Sequence, residues 1–237
     1  MVTQYRKWSE YPYPGEQNPP KGHPEAGSWP MFFIRRGTGN LFFDPFHTPI
    51  EWKIRPPQDI DWASELQNVI QTVNTLTPQL RNLALYWGTV ETTQRINPII
   101  YNLIKKYDLS SPYAARILGC FHAAINDVFI LTWIIKYGWD VARPCQYENL
   151  PTVVPTPRFP AYPSAHATVA GCAEVILSYF FPQESPGLKT VMEGSAASRL
   201  YAGVHFNIDN VEGLSLGRQI GEIIINFLKH QNIKDTL

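Results

Sequence analysis

The chain has 237 residues, of which 44% are hydrophobic, 17% charged and 13% aromatic, with 20 Lys+Arg balanced by 20 Asp+Glu. A chain of this length buries roughly 70–75% of its unfolded surface, enough for one substantial core, and so little charge excludes a disordered polymer. The neutral balance excludes broad electrostatic capture of nucleic acid, which needs a surplus of Lys and Arg, but leaves room for a local basic site.

The first ten residues contain no apolar stretch of the signal-peptide kind, so a cytoplasmic globular protein is expected. Ten of the 21 prolines lie before residue 58, interleaved with Trp8, Trp29, Trp52 and the cluster Phe32, Phe33, Phe42, Phe43 and Phe46. Helices do not run through that proline spacing, and a loose tail would not be so aromatic. Residues 1–59 therefore read as an irregular wrap over a helical body, with a short hairpin at 37–40. The wrap would cover the body or a second subunit, which makes a homodimer an expectation.

From Ile60 the texture changes. Ile60, Leu66, Ile70, Val73 and Leu76 recur at helical spacing and stop before Pro78. Further helices are expected at 79–87, 91–107, 112–137, 165–181, 188–204 and 211–230, with Pro98 kinking or splitting the third run of the chain and Ser111 capping the run after it. The apolar run at 114–135 is interrupted by Arg116, His122, Asn126 and Asp127, so it reads as a buried soluble helix and no membrane span is expected. Strand patterns are nearly absent, the exception being 152–154. Residues 60–237 thus read as one all-α catalytic domain. Cys120, Cys145 and Cys172 are too widely spaced for a zinc site and odd in number, so they read as buried thiols.

Three segments break the local rules. Gly138 should stop a long helix just after Lys136, and Arg143, ahead of Pro144, is pushed to extended geometry, so two cations arrive from a helix end and its loop. Phe159-Pro-Ala-Tyr-Pro-Ser164-Ala165-His166 precedes an apolar helix. Ser164 is a natural N-cap, and the free N–H groups of Ala165 and His166 make an anion site beside a titratable imidazole. In Ser198-Arg199-Leu-Tyr-Ala-Gly203-Val-His205-Phe-Asn-Ile-Asp209, His205 and Asp209 are four apart, so on a helix the carboxylate fixes the imidazole tautomer. Each segment alone has a bland reading as surface charge, plain cap or structural pair. Together they suit an oxyanion of phosphate shape.

The pattern Lys-x6-Arg-Pro, Pro-Ser-x-His and Ser-Arg-x3-Gly-x-His-x3-Asp resembles the signature of the type 2 phosphatidic acid phosphatase and vanadium haloperoxidase superfamily. The resemblance covers about 127–217 and implies a helical bundle holding phosphate or vanadate. It implies that Lys136, Arg143 and Arg199 neutralise equatorial oxygens, with Ser164 and the Ala165 N–H bonding them. His205 would be the axial vanadium ligand of a peroxidase or the phosphorylated nucleophile of a phosphatase, His166 the acid/base, and Asp209 the holder of His205. The family usually has Gly where Ala165 stands, and the added methyl crowds that approach.

Phe159 and Trp133 occupy the halide-pocket positions of the chloroperoxidase-like branch, which the sequence resembles most. A vanadate-dependent haloperoxidase is therefore the first expectation, with hydrogen peroxide, halide and a small organic substrate as its partners. A phosphatase acting on a phosphate ester through His205 is the second, and a non-catalytic phosphate-binding helical protein the third.

Overall fold

A computed structural model describes residues 5–39 and 41–231. Among them are seven α-helices: α1 (Trp62–Asn74), α2 (Pro78–Gly88), α3 (Thr92–Lys106), α4 (Ser111–Trp139), α5 (Ala165–Phe180), α6 (Ser185–Tyr201) and α7 (Asn207–His230). The architecture is all-α, as the periodicity predicts. Side chains of Asp61, Thr77, Glu91 and Ser164 accept backbone N–H groups at the starts of α1, α2, α3 and α5, satisfying donors that have no partner inside the helix.

Several boundaries differ from the sequence reading. Pro98 does not split α3, which runs through it because Ile96, Ile100 and Leu103 bury one continuous face. The cap of α4 is Ser110, not Ser111, and its hydroxyl makes no capping bond. Gly138 does not end α4; the helix continues to Trp139 and stops where Asp140 turns left-handed at φ 57°. Residues 152–154 form no strand. The strands lie instead in the wrap, where β1 (Arg35–Arg36), β2 (Phe42–Phe43) and β3 (Pro49–Ile50) pair antiparallel in that order. Asn40, at the end of the expected hairpin turn, lies outside the described residues.

At the centre α5 packs against α4, α6 and α7. The α5–α7 contact is backbone-close: a Cβ on Gly217 would run into Thr168 O, and one on Gly171 into Leu214 O. This approach sets the starts of the two helices together, and Ser164 N donates to Asp209 O at 2.9 Å. The wrap is gripped by α4: Asp127, fully buried, accepts the N–H groups of Phe32 (2.7 Å), Phe33 (2.7 Å) and Ile34 (2.9 Å). Of the wrap aromatics, Trp8 and Phe42 are buried, whereas Trp29, Phe32 and Phe46 are exposed. All three cysteines are free and buried.

Helix α4 is long and apolar enough to cross a membrane by length and composition, and about half of its most apolar window is buried inside the molecule.

Candidate functional site: a buried cluster of cations

The site is assembled from three stretches that the fold brings to one end of α5. Lys136, in the last turn of α4, is fully buried and donates through Nζ to Pro160 O (2.7 Å) and Ala161 O (2.6 Å). Arg143 sits in extended geometry (φ −78°, ψ 157°) as its proline neighbour dictates. Its guanidinium, also fully buried, donates to Phe159 O (3.0 Å) and Val204 O (2.8 Å) and reaches His205 Nε2 at 2.8 Å. Gly203, at φ 73°, makes the left-handed turn that ends α6 and swings Val204 and His205 back toward Arg143.

His205 lies ahead of α7, not inside a helix as the four-residue spacing suggests. The pairing with Asp209 survives because Asp209 folds back over the helix start. Its Oδ2 takes His205 Nδ1 at 2.7 Å and the N–H of Phe206 at 3.0 Å. A carboxylate only accepts, so Nδ1 carries the proton, and the lone pair of Nε2 faces the Arg143 donor. Both side chains are buried.

Three buried cations, Lys136, Arg143 and Arg199, therefore face one buried carboxylate, a surplus of two positive charges in the buried set. Arg143 Nη2 and Arg199 Nε and Nη1 are buried with no hydrogen-bond partner. Unpaired guanidinium N–H groups are costly in a protein interior unless an anion takes them up. The strain shows in the titrations. Burial, with Arg143 adding repulsion, holds Lys136 well below the usual lysine range, and burial beside Arg143 lowers Arg199 to about 10. Burial and then the three cations hold His205 well below the usual histidine value, so it is neutral. Burial pushes Asp209 up to about 7, against the pull of Lys136 and Arg143.

Ser164 caps α5 as predicted, with Oγ accepting Ala167 N–H at 3.3 Å, and Ala165 is the first residue of the helix. His166 keeps a partly exposed edge. Its Nδ1 lies 2.9 Å from Thr92 Oγ1 and its Nε2 2.9 Å from Ser195 Oγ. Burial and the Arg199 charge hold it well below its usual value, and it lies within electrostatic reach of His205. Phe159 lies under two of the cations, its ring centroid 5.2 Å from Lys136 Nζ and 4.9 Å from Arg143 Cζ, and Trp133 packs on it at 4.8 Å. All ten positions singled out in the sequence thus fall in one region.

Sequence reasoning missed Thr92, Ser195, Gln146 and Gly88. Gln146 Oε1 accepts Arg143 N–H at 2.8 Å, and a Cβ on Gly88 would stand 2.7 Å from Arg199 Nη1. The sequence offers no spacing signal for the two hydroxyls: Thr92 lies on a helix without a motif, and Ser195 lies on α6 just ahead of the Ser198-Arg199 motif.

Among the described residues, seven helices close on a surplus of buried cation beside a carboxylate-fixed imidazole. Residues 117–233, about half of the chain, match the model of the PAP2 superfamily, and the chain carries a domain of that superfamily. Curated proteins gave no sequence match. Among solved structures, the chain is similar to a bacterial vanadium-dependent iodoperoxidase at 20% identity and TM-score 0.67, covering 85% of this chain and 63% of that one. It is also similar to an apo-type bacterial vanadium-dependent chloroperoxidase (14% identity, TM-score 0.72, covering 97% and 64%). A transmembrane PAP2-type phosphatidylglycerolphosphate phosphatase from Bacillus subtilis matches at 20% identity and TM-score 0.56, covering 74% of this chain and 89% of that one. The chain thus spans less than two thirds of the two peroxidases. These likenesses establish the helical fold shared by haloperoxidases and PAP2 phosphatases.

Proposed function

We propose that the protein is a vanadate-dependent haloperoxidase-like enzyme that uses hydrogen peroxide to oxidise halide, for transfer to a small organic substrate. The observation that carries this reading is the unpaired guanidinium N–H set of Arg143 and Arg199 beside the lone pair of His205 Nε2. The donors fit a tetrahedral dianion: the buried surplus is two charges, and the orphaned N–H groups are what its oxygens would take.

In this reading Lys136, Arg143 and Arg199 would neutralise the charge of the bound oxyanion, and Ser164 Oγ and the Ala165 N–H would add hydrogen bonds. His205 Nε2, whose lone pair now faces Arg143, would hold the vanadium, and Asp209 would hold the ring. Bound vanadate supplies a Lewis-acid centre at which peroxide is activated toward halide. His166 takes and gives the protons of that exchange. Phe159 and Trp133 give the halide an apolar wall, with the Lys136 and Arg143 charges behind it.

A second reading is favoured by one observation: the similarity to the B. subtilis phosphatase spans 89% of that chain, against 63–64% of the two peroxidases. The same residues suffice for a phosphomonoesterase. His205 Nε2 would attack phosphorus, the phosphorus–oxygen ester bond would break, and His166 would protonate the departing oxygen. Water would then release phosphate from His205.

The test is reconstitution with orthovanadate followed by a bromination assay with peroxide and bromide, in parallel with hydrolysis of p-nitrophenyl phosphate in vanadate-free buffer. Vanadate-dependent bromination lost in His205→Ala supports the first reading. Hydrolysis inhibited by vanadate and lost in His205→Ala, without bromination, replaces it with the second. Tight vanadate binding with neither activity leaves a phosphate-binding protein and refutes both.

A further inference from the structure

The two imidazoles of the site are held by chemically different partners, and the difference separates their tasks. His205 is held by a carboxylate, which only accepts, so its Nδ1 keeps the proton and Nε2 the lone pair. His166 is held by two hydroxyls, Thr92 Oγ1 on Nδ1 and Ser195 Oγ on Nε2, both at 2.9 Å. A hydroxyl both donates and accepts. A neutral ring donates from one nitrogen and accepts at the other, and rotation of the two hydroxyls serves either tautomer. A protonated ring donates from both nitrogens, and both oxygens accept. The clamp holds in every protonation state, as a group that gains and loses a proton in each turnover requires.

The clamp is also built from outside. Thr92 opens α3, Ser195 lies on α6 one turn before Arg199, and both are buried. The Trp87 ring, from α2, stands edge-on to His166 with centroids 6.0 Å apart and closes another side. The charged or titratable groups acting on the ring are Arg199 from α6 and His205 from the turn ahead of α7. Among the described residues, its hydrogen-bond partners are these two hydroxyls and no carboxylate.

We infer that Thr92 and Ser195 are the positioning residues of His166, with Thr92 its permanent anchor and Ser195 a resting-state partner that an incoming oxygen replaces at Nε2. The inference rests on the reading of His166 as the acid/base. Nε2 is the nitrogen on the α6 side, where Arg199 lies, so exchange there leaves the ring tethered through Nδ1.

The experiment compares Thr92→Val, Thr92→Ser, Ser195→Ala and His166→Ala. It uses whichever of bromide peroxidation and p-nitrophenyl phosphate hydrolysis the wild type performs, orthovanadate binding read by thermal shift, and ring 15N spectra of histidine-labelled protein. Thr92→Val is expected to lower kcat about 10–100-fold, the usual cost of losing a partner that orients a working group. KM and vanadate affinity should stay unchanged. The His166 ring titration should move to lower pH, because the protonated ring loses an acceptor, and the limb of the pH–rate profile that needs a protonated His166 should follow it. Thr92→Ser should restore all three, and Ser195→Ala should shift the ring signals with a smaller loss of kcat.

Wild-type kcat and unshifted His166 signals in Thr92→Val, beside an inactive His166→Ala, overturn the clamp and leave the acid/base reading standing. A fully active His166→Ala overturns both. If neither activity is found in the wild type, the ring spectra decide: signals unmoved by Thr92→Val and Ser195→Ala refute the clamp.

Discussion

On the proposed reading, three buried cations with one carboxylate between them should make the stability of this fold depend on anions, and Arg199 tests that dependence most cleanly. An anion that binds only the folded state at 100 times its Kd adds about 2.7 kcal/mol. For a chain of this length that is a rise in Tm of about 5–11 °C, at about 2–4 °C per kcal/mol. Arg199→Met keeps most of the apolar stem and removes the guanidinium whose Nε and Nη1 stand unpaired. A hydrogen bond to a charged group is worth about 1.5–3 kcal/mol, and a loss of about 2 raises Kd about 30-fold. The same anion concentration then stabilises the variant by only about 0.9 kcal/mol, a shift of about 2–4 °C. Without anion the sign reverses. Burial and Arg143 already lower Arg199 to about 10, so the fold disfavours its charge, and the anion-free variant should melt no lower than the wild type. Scanning calorimetry in phosphate-free buffer, with and without orthovanadate, reads both quantities. A variant that melts several degrees lower without anion and keeps the full vanadate shift would refute the oxyanion site.

Three further outcomes follow from the same geometry. Gly88→Ala should push its Cβ against Arg199 Nη1, 2.7 Å away; steady-state kinetics should show turnover down by up to about 100-fold, while calorimetry shows stability changed by less than about 1 kcal/mol. Asp127→Ala strands the N–H groups of Phe32, Phe33 and Ile34 and should cost about 2–4 kcal/mol, with new protease cleavage near residues 24–36 while the helical circular dichroism persists. Asp209 titrates near 7, and its protonation both adds to the positive surplus and releases His205. Sulfate, a dianion throughout this range, should therefore bind more tightly as pH falls from 8 to 6 while turnover declines, and Asp209→Asn should flatten both dependences.

The helices and the site motifs were legible in the sequence because both rest on local rules. Helical spacing of Ile and Leu marks buried faces, and Pro144, Ser164 and Gly203 impose local geometry whatever surrounds them. What the sequence hid is decided at longer range. The start of α7 was placed too late because its N-cap, Phe206, has no capping side chain; Asp209 satisfies the Phe206 N–H instead while holding His205. Pro98 does not split α3, since burial of Ile96 and Ile100 outweighs one missing hydrogen bond. Gly138 was over-read as a stop because Asp140 makes the left-handed turn instead. Thr92 and Ser195 carried no signal, as a single hydroxyl in a helix gains meaning only from what tertiary packing sets opposite it.

The wrap explains how three like charges are held together before any anion arrives. Gln146 accepts the Arg143 backbone N–H through Oε1, while its Nε2 donates to Trp8 O (2.9 Å) and Tyr11 O (2.6 Å) and its own carbonyl accepts from Arg6 (2.6 Å). Three of these hydrogen bonds tie the loop bearing Arg143 to the N-terminal segment, and the fourth braces the loop itself. Lys136 rides on α4, the helix whose Asp127 grips residues 32–34 two and a half turns earlier. Two of the three cations therefore sit on elements that the wrap fastens from outside, and their repulsion is opposed by tethers that do not involve the charged groups. Such a frame removes from binding the cost of gathering the charges, which is how a preorganised site gains affinity without additional contacts.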